Sequence, residues 1–204
     1  MKKIFALMMS AGLLVSGCGK SDGGDEPFVG QTIEAGVDAS QNGLWHYFSF
    51  KTGEFVGTGQ ESTADNIKWR DSKEWDMAVC RYNLRFNGGA STAVGSEGGV
   101  YICADGVGFE NVKSAAGVDF ELDRQMTVEG MGGSSTVVQS PATVVEFKRN
   151  EDGDMIMPPV YLKAPVYVVR TADGNSYYKV EFTQYKDADG VSGKVEFRYA
   201  EVER

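Results

Sequence analysis

From Leu44 onward, short runs rich in aromatic and β-branched residues alternate with clusters of glycine, asparagine and aspartate, the pattern of strands separated by turns. The runs predict strands at Leu44–Phe50, Trp75–Phe86, Gly99–Cys103, Val118–Leu122, Thr136–Gln139, Thr143–Lys148, Val166–Arg170, Tyr177–Tyr185 and Gly193–Val202. In Val180-Glu181-Phe182-Thr183 and again in Lys194 to Tyr199, apolar and polar residues swap with period two, as a half-buried strand requires. Asp173-Gly174-Asn175 and Asp189-Gly190 supply residues that take positive φ at little cost, so the last forty residues read as a three-stranded antiparallel meander. No long segment shows a 3.6-residue amphipathic period. The expectation is an all-β fold in a single domain, mainly antiparallel sheets and hairpins with little helix.

The start of the chain departs from this pattern. Lys2 and Lys3 precede an apolar run from Ile4 to Val15, followed by Ser16, Gly17 and Cys18. The run is shorter than the ~20 residues that span a bilayer as a helix, so it reads as a targeting segment. Residues 1–17 are therefore expected to be a lipoprotein signal peptide and Cys18 the lipidation site. Residues 18–35 are expected to form the lipidated cysteine and a flexible tether, and 36–204 the β domain. Acyl chains contribute ~0.8 kcal/mol per buried methylene and would hold the protein on a membrane durably. The acidic residues Asp22, Asp25 and Glu26 in the tether suit an outer-membrane sorting tag.

Charge narrows the partners. The formal net charge is −9, and loss of Lys2 and Lys3 with the signal would make it more negative. Nucleic acid is excluded as an expected partner, because phosphate binding needs a basic field. Cys80 and Cys103 remain beside Cys18, and two thiols outside the cytoplasm often pair. If Trp75–Phe86 and Gly99–Cys103 formed one hairpin closed by the loop Gly88 to Gly99, the two cysteines would face each other. A disulfide and a pair of free thiols both remain open.

His46 is the only histidine, so no mechanism can use two imidazoles, and a structural or surface role is expected for it. Asp187-Ala188-Asp189-Gly190 and Asp152-Gly153-Asp154 place glycine too early for an EF-hand and lack its closing glutamate; they read as turns. The loop Gly88 to Gly99 lacks the lysine of a phosphate loop and reads as a hairpin connection. The methionines stand out: Met126, Met131, Met155 and Met157 fall within 32 residues, beside Gly130, Gly132, Gly133, Gly153, Pro158 and Pro159, while Met77 lies apart. Thioethers so placed either fill gaps in a core or project into a cleft as soft ligands for haem iron or copper(I).

Trp45-His46-Tyr47-Phe48-Ser49-Phe50, Trp75-Asp76-Met77-Ala78 with Arg81-Tyr82, Asn87-Gly88-Gly89, and Val166 to Gly174 with Lys179-Val180 and Phe182 resemble the HmuY family in the same order. These are haem-binding outer-membrane lipoproteins of anaerobic bacteria. The resemblance implies an all-β haemophore without enzymatic activity. Its cargo would be haem, bound in a pocket where two residues from separate hairpins ligate the iron. His46 matches a position that is not a ligand, which excludes a histidine pair. The resemblance instead implies a methionine pair, Met131 with Met157, for which Met155 is a rival to Met157 and Met126 a weaker rival to Met131. Val160, Tyr161 and Tyr167 would pack the ring, and Lys148, Arg149 or Lys163 would meet the propionates. Implied partners are an outer-membrane TonB-dependent haem transporter and host haemoproteins. The implied location is the outer membrane, held there through lipid only and exposed at the cell surface, with shedding into the medium as a further route. Two other functions fit less of the sequence. One is an adhesin or glycan-binding β-sandwich without haem, with Trp45, Trp69 or Trp75 as stacking surfaces. The other is a hydrolase built on paired carboxylates.

Overall fold

The computed structural model describes residues 30–61, 64–130, 133–154, 156 and 165–204. Eleven strands occur among them: β1 Ile33–Asp38, β2 Leu44–Ser49, β3 Glu54–Gln60, β4 Met77–Cys80, β5 Asn83–Phe86, β6 Gly99–Ile102, β7 Arg124–Gly130, β8 Gly133–Gln139, β9 Tyr167–Arg170, β10 Tyr177–Lys186 and β11 Ser192–Val202. One short helix, α1 Ala64–Arg70, follows β3. The strands form a five-stranded sheet ordered β1-β11-β10-β9-β6, a four-stranded sheet ordered β3-β2-β4-β5, and the separate two-stranded hairpin β7-β8. All of these ladders are antiparallel. The all-β expectation holds, and the last forty residues form the expected meander.

Alternation along β10 and β11 explains the layering. Phe182 lies opposite Phe197 and Val180 opposite Tyr199, and with Val195 these side chains face inward. They meet Phe48, Met77, Val79, Leu84 and Phe86 from the four-stranded sheet, so the main core is the filling of a two-sheet sandwich. Each large apolar side chain buried there contributes about 1.5–3 kcal/mol. The intervening residues, Lys179 among them, point to the outer face of the five-stranded sheet. There Val166, Val168, Tyr177, Ala200 and Val202 pack under Phe109, Val112 and Ala115. Lys179 is buried and donates from Nζ to the Phe109 carbonyl at 3.0 Å, and burial lowers its pKa. A third cluster covers the outer face of the four-stranded sheet, where Tyr47 stacks on Trp69 and meets Trp75 edge-on.

One carboxylate ties the sandwich together. Asp76 accepts the Phe50 amide at 2.9 Å through Oδ2 and the Ala172 amide at 2.9 Å through Oδ1, joining the turn after β2 to the end of β9. Burial pushes its pKa up, against the pull of those two donors.

The run Trp75–Phe86, expected as one strand, is itself a hairpin. β4 turns through Arg81, at φ 55°, and returns as β5. Gly99–Ile102 pairs with β9 in the other sheet, so Cys80 lies in one cluster and Cys103 in another, and both thiols are free. Of the two outcomes left open for these cysteines the structure has the free thiols, because the hairpin that would have brought them together does not form. The loop Gly88 to Gly99 crosses between sheets, with Gly88 so close to the Gly98 carbonyl that a Cβ there would overlap it. Val118–Leu122 and Thr143–Lys148 form no ladder; they contribute the single bridges Val100 to Glu121 and Asn83 to Thr143. At the other end, β1 starts at Ile33 and Gly30 already donates to the Glu201 carbonyl at 2.7 Å. Ordered pairing thus begins inside the segment expected to be tether.

Candidate functional site

A cavity of about 510 Å³ opens at one end of the sandwich. That volume lies within the ~300–1,000 Å³ typical of small-molecule sites. Ile102 at the end of β6, Val107, Ala142, Val145 and Val166 give it an apolar wall, and Tyr167 enters from the start of β9. The Tyr167 hydroxyl donates to the Thr143 carbonyl at 2.6 Å, and burial pushes its pKa up to about 12, so it stays a neutral donor. The polar rim of the cavity is acidic: Asp105, Glu146 and Glu181 line it, with no lysine or arginine among the described lining residues. Glu181 accepts from Arg198 Nε at 2.7 Å.

The chain leaves this wall at Glu146 and rejoins it at Pro165. Between those points lie Lys148 and Arg149, both exposed, and the segment that carries Met155 and Met157. Met155 and Met157 fall outside the described residues, as do Val160, Tyr161, Lys163 and Met131, and likewise Cys18 in the expected signal and tether region. Met126 is half-buried on β7 opposite Val137. Met77 is fully buried in the main core. Tyr167, named above for packing the ring, lines the cavity.

In sequence Met131 directly follows Gly130, the last residue of β7, and β7 pairs with β8 from Gly130 opposite Gly133 back to Arg124 opposite Gln139. That hairpin joins the sandwich at its base. Arg85 on β5 donates from Nε to the Val138 carbonyl at 2.7 Å, and Ser140 donates to the Leu84 carbonyl at 2.9 Å. Arg85 also pairs with Glu61 at 2.9 Å and lies 3.8 Å above the Trp45 ring.

His46 sits mid-sheet on β2, edge-on to Phe55, with burial lowering its pKa; the structural role expected of it fits this place. The aspartates at 152–154 and 187–190 close turns: Asp187 Oδ1 accepts the amides of Asp189 and Val191 at 3.1 and 2.8 Å. Among the described residues no cluster of histidine, cysteine and acidic side chains could hold a metal ion. The acidic rim was missed in the sequence. Its one available signal was Glu181 standing between Val180 and Phe182, which places a carboxylate on the face opposite two core residues.

Fold and cavity define a two-sheet antiparallel sandwich with an end pocket and a detached hairpin. The sequence pattern of the HmuY protein family matches residues 41–199, most of the chain, and the chain belongs to that family. Among solved structures it is similar to a protein of Bacteroides vulgatus described as HmuY-like and heme binding. The identity there is 23%, covering 82% of this chain and 90% of that one, with a TM-score of 0.56. It is also similar to the apo HmuY analog of Tannerella forsythia, at 22% identity, 86% and 99% coverage and a TM-score of 0.55. Apo PinO from Porphyromonas gingivitis shares the fold at 15% identity, 85% and 100% coverage and a TM-score of 0.55. No curated protein matches the sequence.

Proposed function

We propose that this protein is a lipid-anchored, non-enzymatic haem-binding protein of the cell surface, which captures haem as cargo and hands it to an outer-membrane TonB-dependent transporter. Membership of the HmuY family is the observation that carries the reading. The end cavity supports it in size and in its apolar wall, and the segment bearing Met155 and Met157 starts and finishes on that wall. The lipobox ending at Cys18 supports the anchor and the surface location.

Met131 and Met157 are proposed as the axial ligands, with Met155 the alternative to Met157. Two neutral thioethers favour Fe(II) over Fe(III), so reduced haem binds tighter than oxidised haem. Asp105, Glu146 and Glu181 would repel propionates, which orients the carboxylate edge of the macrocycle away from that rim. Lys148 and Arg149, just past Glu146, are cations placed to receive it. The glycan-stacking alternative loses its surface, because Trp45, Trp69 and Trp75 are 4%, 4% and 1% exposed.

The test is a haem titration of the purified protein followed by the Soret band, with and without dithionite. Met131→Ala and Met157→Ala should each weaken ferrous haem binding by about tenfold or more, equivalent to about 1.4 kcal/mol. A loss with Met155→Ala in place of Met157→Ala would reassign the second ligand. Equal affinity in both oxidation states would remove the thioether pair, and no spectral change in either would remove haem.

A further inference from the structure

The base of the β7-β8 hairpin is built around one buried carboxylate. Asp123, the residue before β7, is 3% exposed. Its Oδ2 accepts the Phe86 amide of β5 at 2.8 Å and the Ser91 hydroxyl of the 3-10 turn Gly89–Ser91. Its carbonyl accepts the Ala90 amide at 2.9 Å, and Gly89 passes so close to that carbonyl that no Cβ would fit. Sheet, turn and hairpin therefore meet on this residue. Its other oxygen, Oδ1, is buried with no hydrogen-bond partner among the described residues.

The two protonation states differ in what they ask of the protein. With a proton on Oδ1, Oδ2 still accepts both donors and no charge is buried. Oδ1 lacks a partner in either state, but without the proton a full charge is also buried, which the two donors on Oδ2 and Arg85 only partly offset. Arg85, already engaged with Glu61 and Val138, is the one charged side chain among the described residues that bears on the carboxyl. The turn Gly89–Ser91 and the end of β8 at Gln139 and Ser140 carry no charge, and Glu121 and Arg124 beside it in sequence are exposed.

We propose that Asp123 is the positioning residue that sets how firmly the β7-β8 hairpin docks on the sandwich, and that proton uptake there tightens the dock. Because Met131 directly follows β7 in sequence, the same proton favours capture of haem; this last step alone rests on the haem reading. Burial pushes the Asp123 pKa up to about 7, against the pull of Ser91, Phe86 and Arg85. A carboxyl whose folded pKa is raised stabilises the docked form fully at low pH. That stabilisation is lost as pH rises through about 7.

Hydrogen exchange of the full chain without haem, from pH 5.5 to 8.5 and corrected for intrinsic rates, tests the dock directly. Protection of β7 and β8 should fall roughly tenfold or more between pH 5.5 and about 7 and level off above that, while β9 to β11 stay unchanged. Asp123→Asn should flatten the profile. Ser91→Ala removes a donor that favours the charged form and should move the pH of levelling upward. A flat profile in the wild type, or a levelling point that neither substitution moves, overturns the proposal. Ferrous haem affinity should fall along the same curve. If exchange shows the transition and no Soret response occurs at any pH, the dock stands and the haem reading fails. If haem binds and exchange is flat, the haem reading stands and the dock fails.

Discussion

The meander β9–β11 and the hairpin β7-β8 are both antiparallel ladders, and they are held in opposite ways. The meander is buried on both faces, by the main core within and by Phe109, Val112 and Ala115 without. The hairpin has exposed residues at Arg124, Gln125, Thr127 and Thr136, and joins the sandwich through a few polar bonds at its base. Apolar burial is spread over many side chains and tolerates local change, whereas a polar anchorage concentrates control in a few groups. Elements of the second kind come from the low-stability end of a fold, where ligand-binding segments are usually found. The rigid ladder suits a wall and the weakly held one suits a ligand carrier.

Substitutions can strain that contrast from either side. Phe197→Ala removes a ring that meets Phe48, Phe182 and Tyr199, and should cost about 3–5 kcal/mol in chemical denaturation, unfolding the sandwich as a unit. Arg85→Ala should cost about 1.5–3 kcal/mol, since it removes a buried guanidinium that pairs with Glu61, donates to the Val138 carbonyl and covers Trp45. Its effect should concentrate in exchange of β7 and β8; a uniform loss across the meander would erase the distinction between the two regions. Lys194→Ala breaks an exposed pair with Asp38 at the β1–β11 edge. Here the change should be at the limit of detection and disappear in about 1 M salt.

The meander was legible because each signal agreed with the others. Val180-Glu181-Phe182 gave the faces, and Asp173-Gly174-Asn175 gave the turn, where Gly174 takes φ 75°. The β4–β5 hairpin was hidden because its turn uses Arg81 at positive φ in place of glycine or asparagine, inside an unbroken apolar run. β3 was hidden for a packing reason: Gly57 lowers its strand signal, and glycine is needed there because the Trp69 ring lies where a Cβ would project. β1 and β7 carry too few apolar residues to announce themselves, being edge and detached strands. Val118–Leu122 has the alternation of a strand, yet only Glu121 finds a partner across a bridge. For the cavity, Tyr167 is a lining residue that the family resemblance had already singled out. The acidic rim and Asp123 were not legible, because their meaning depends on which elements meet around them.

Cys80 and Cys103 occupy separate cores as free thiols. Dithionite, needed to compare the two oxidation states of bound haem, therefore finds no cross-link among the described residues to cut. The same chain can be carried back and forth between reducing and oxidising buffers, and a hysteresis-free cycle in its haem spectrum would report the iron alone.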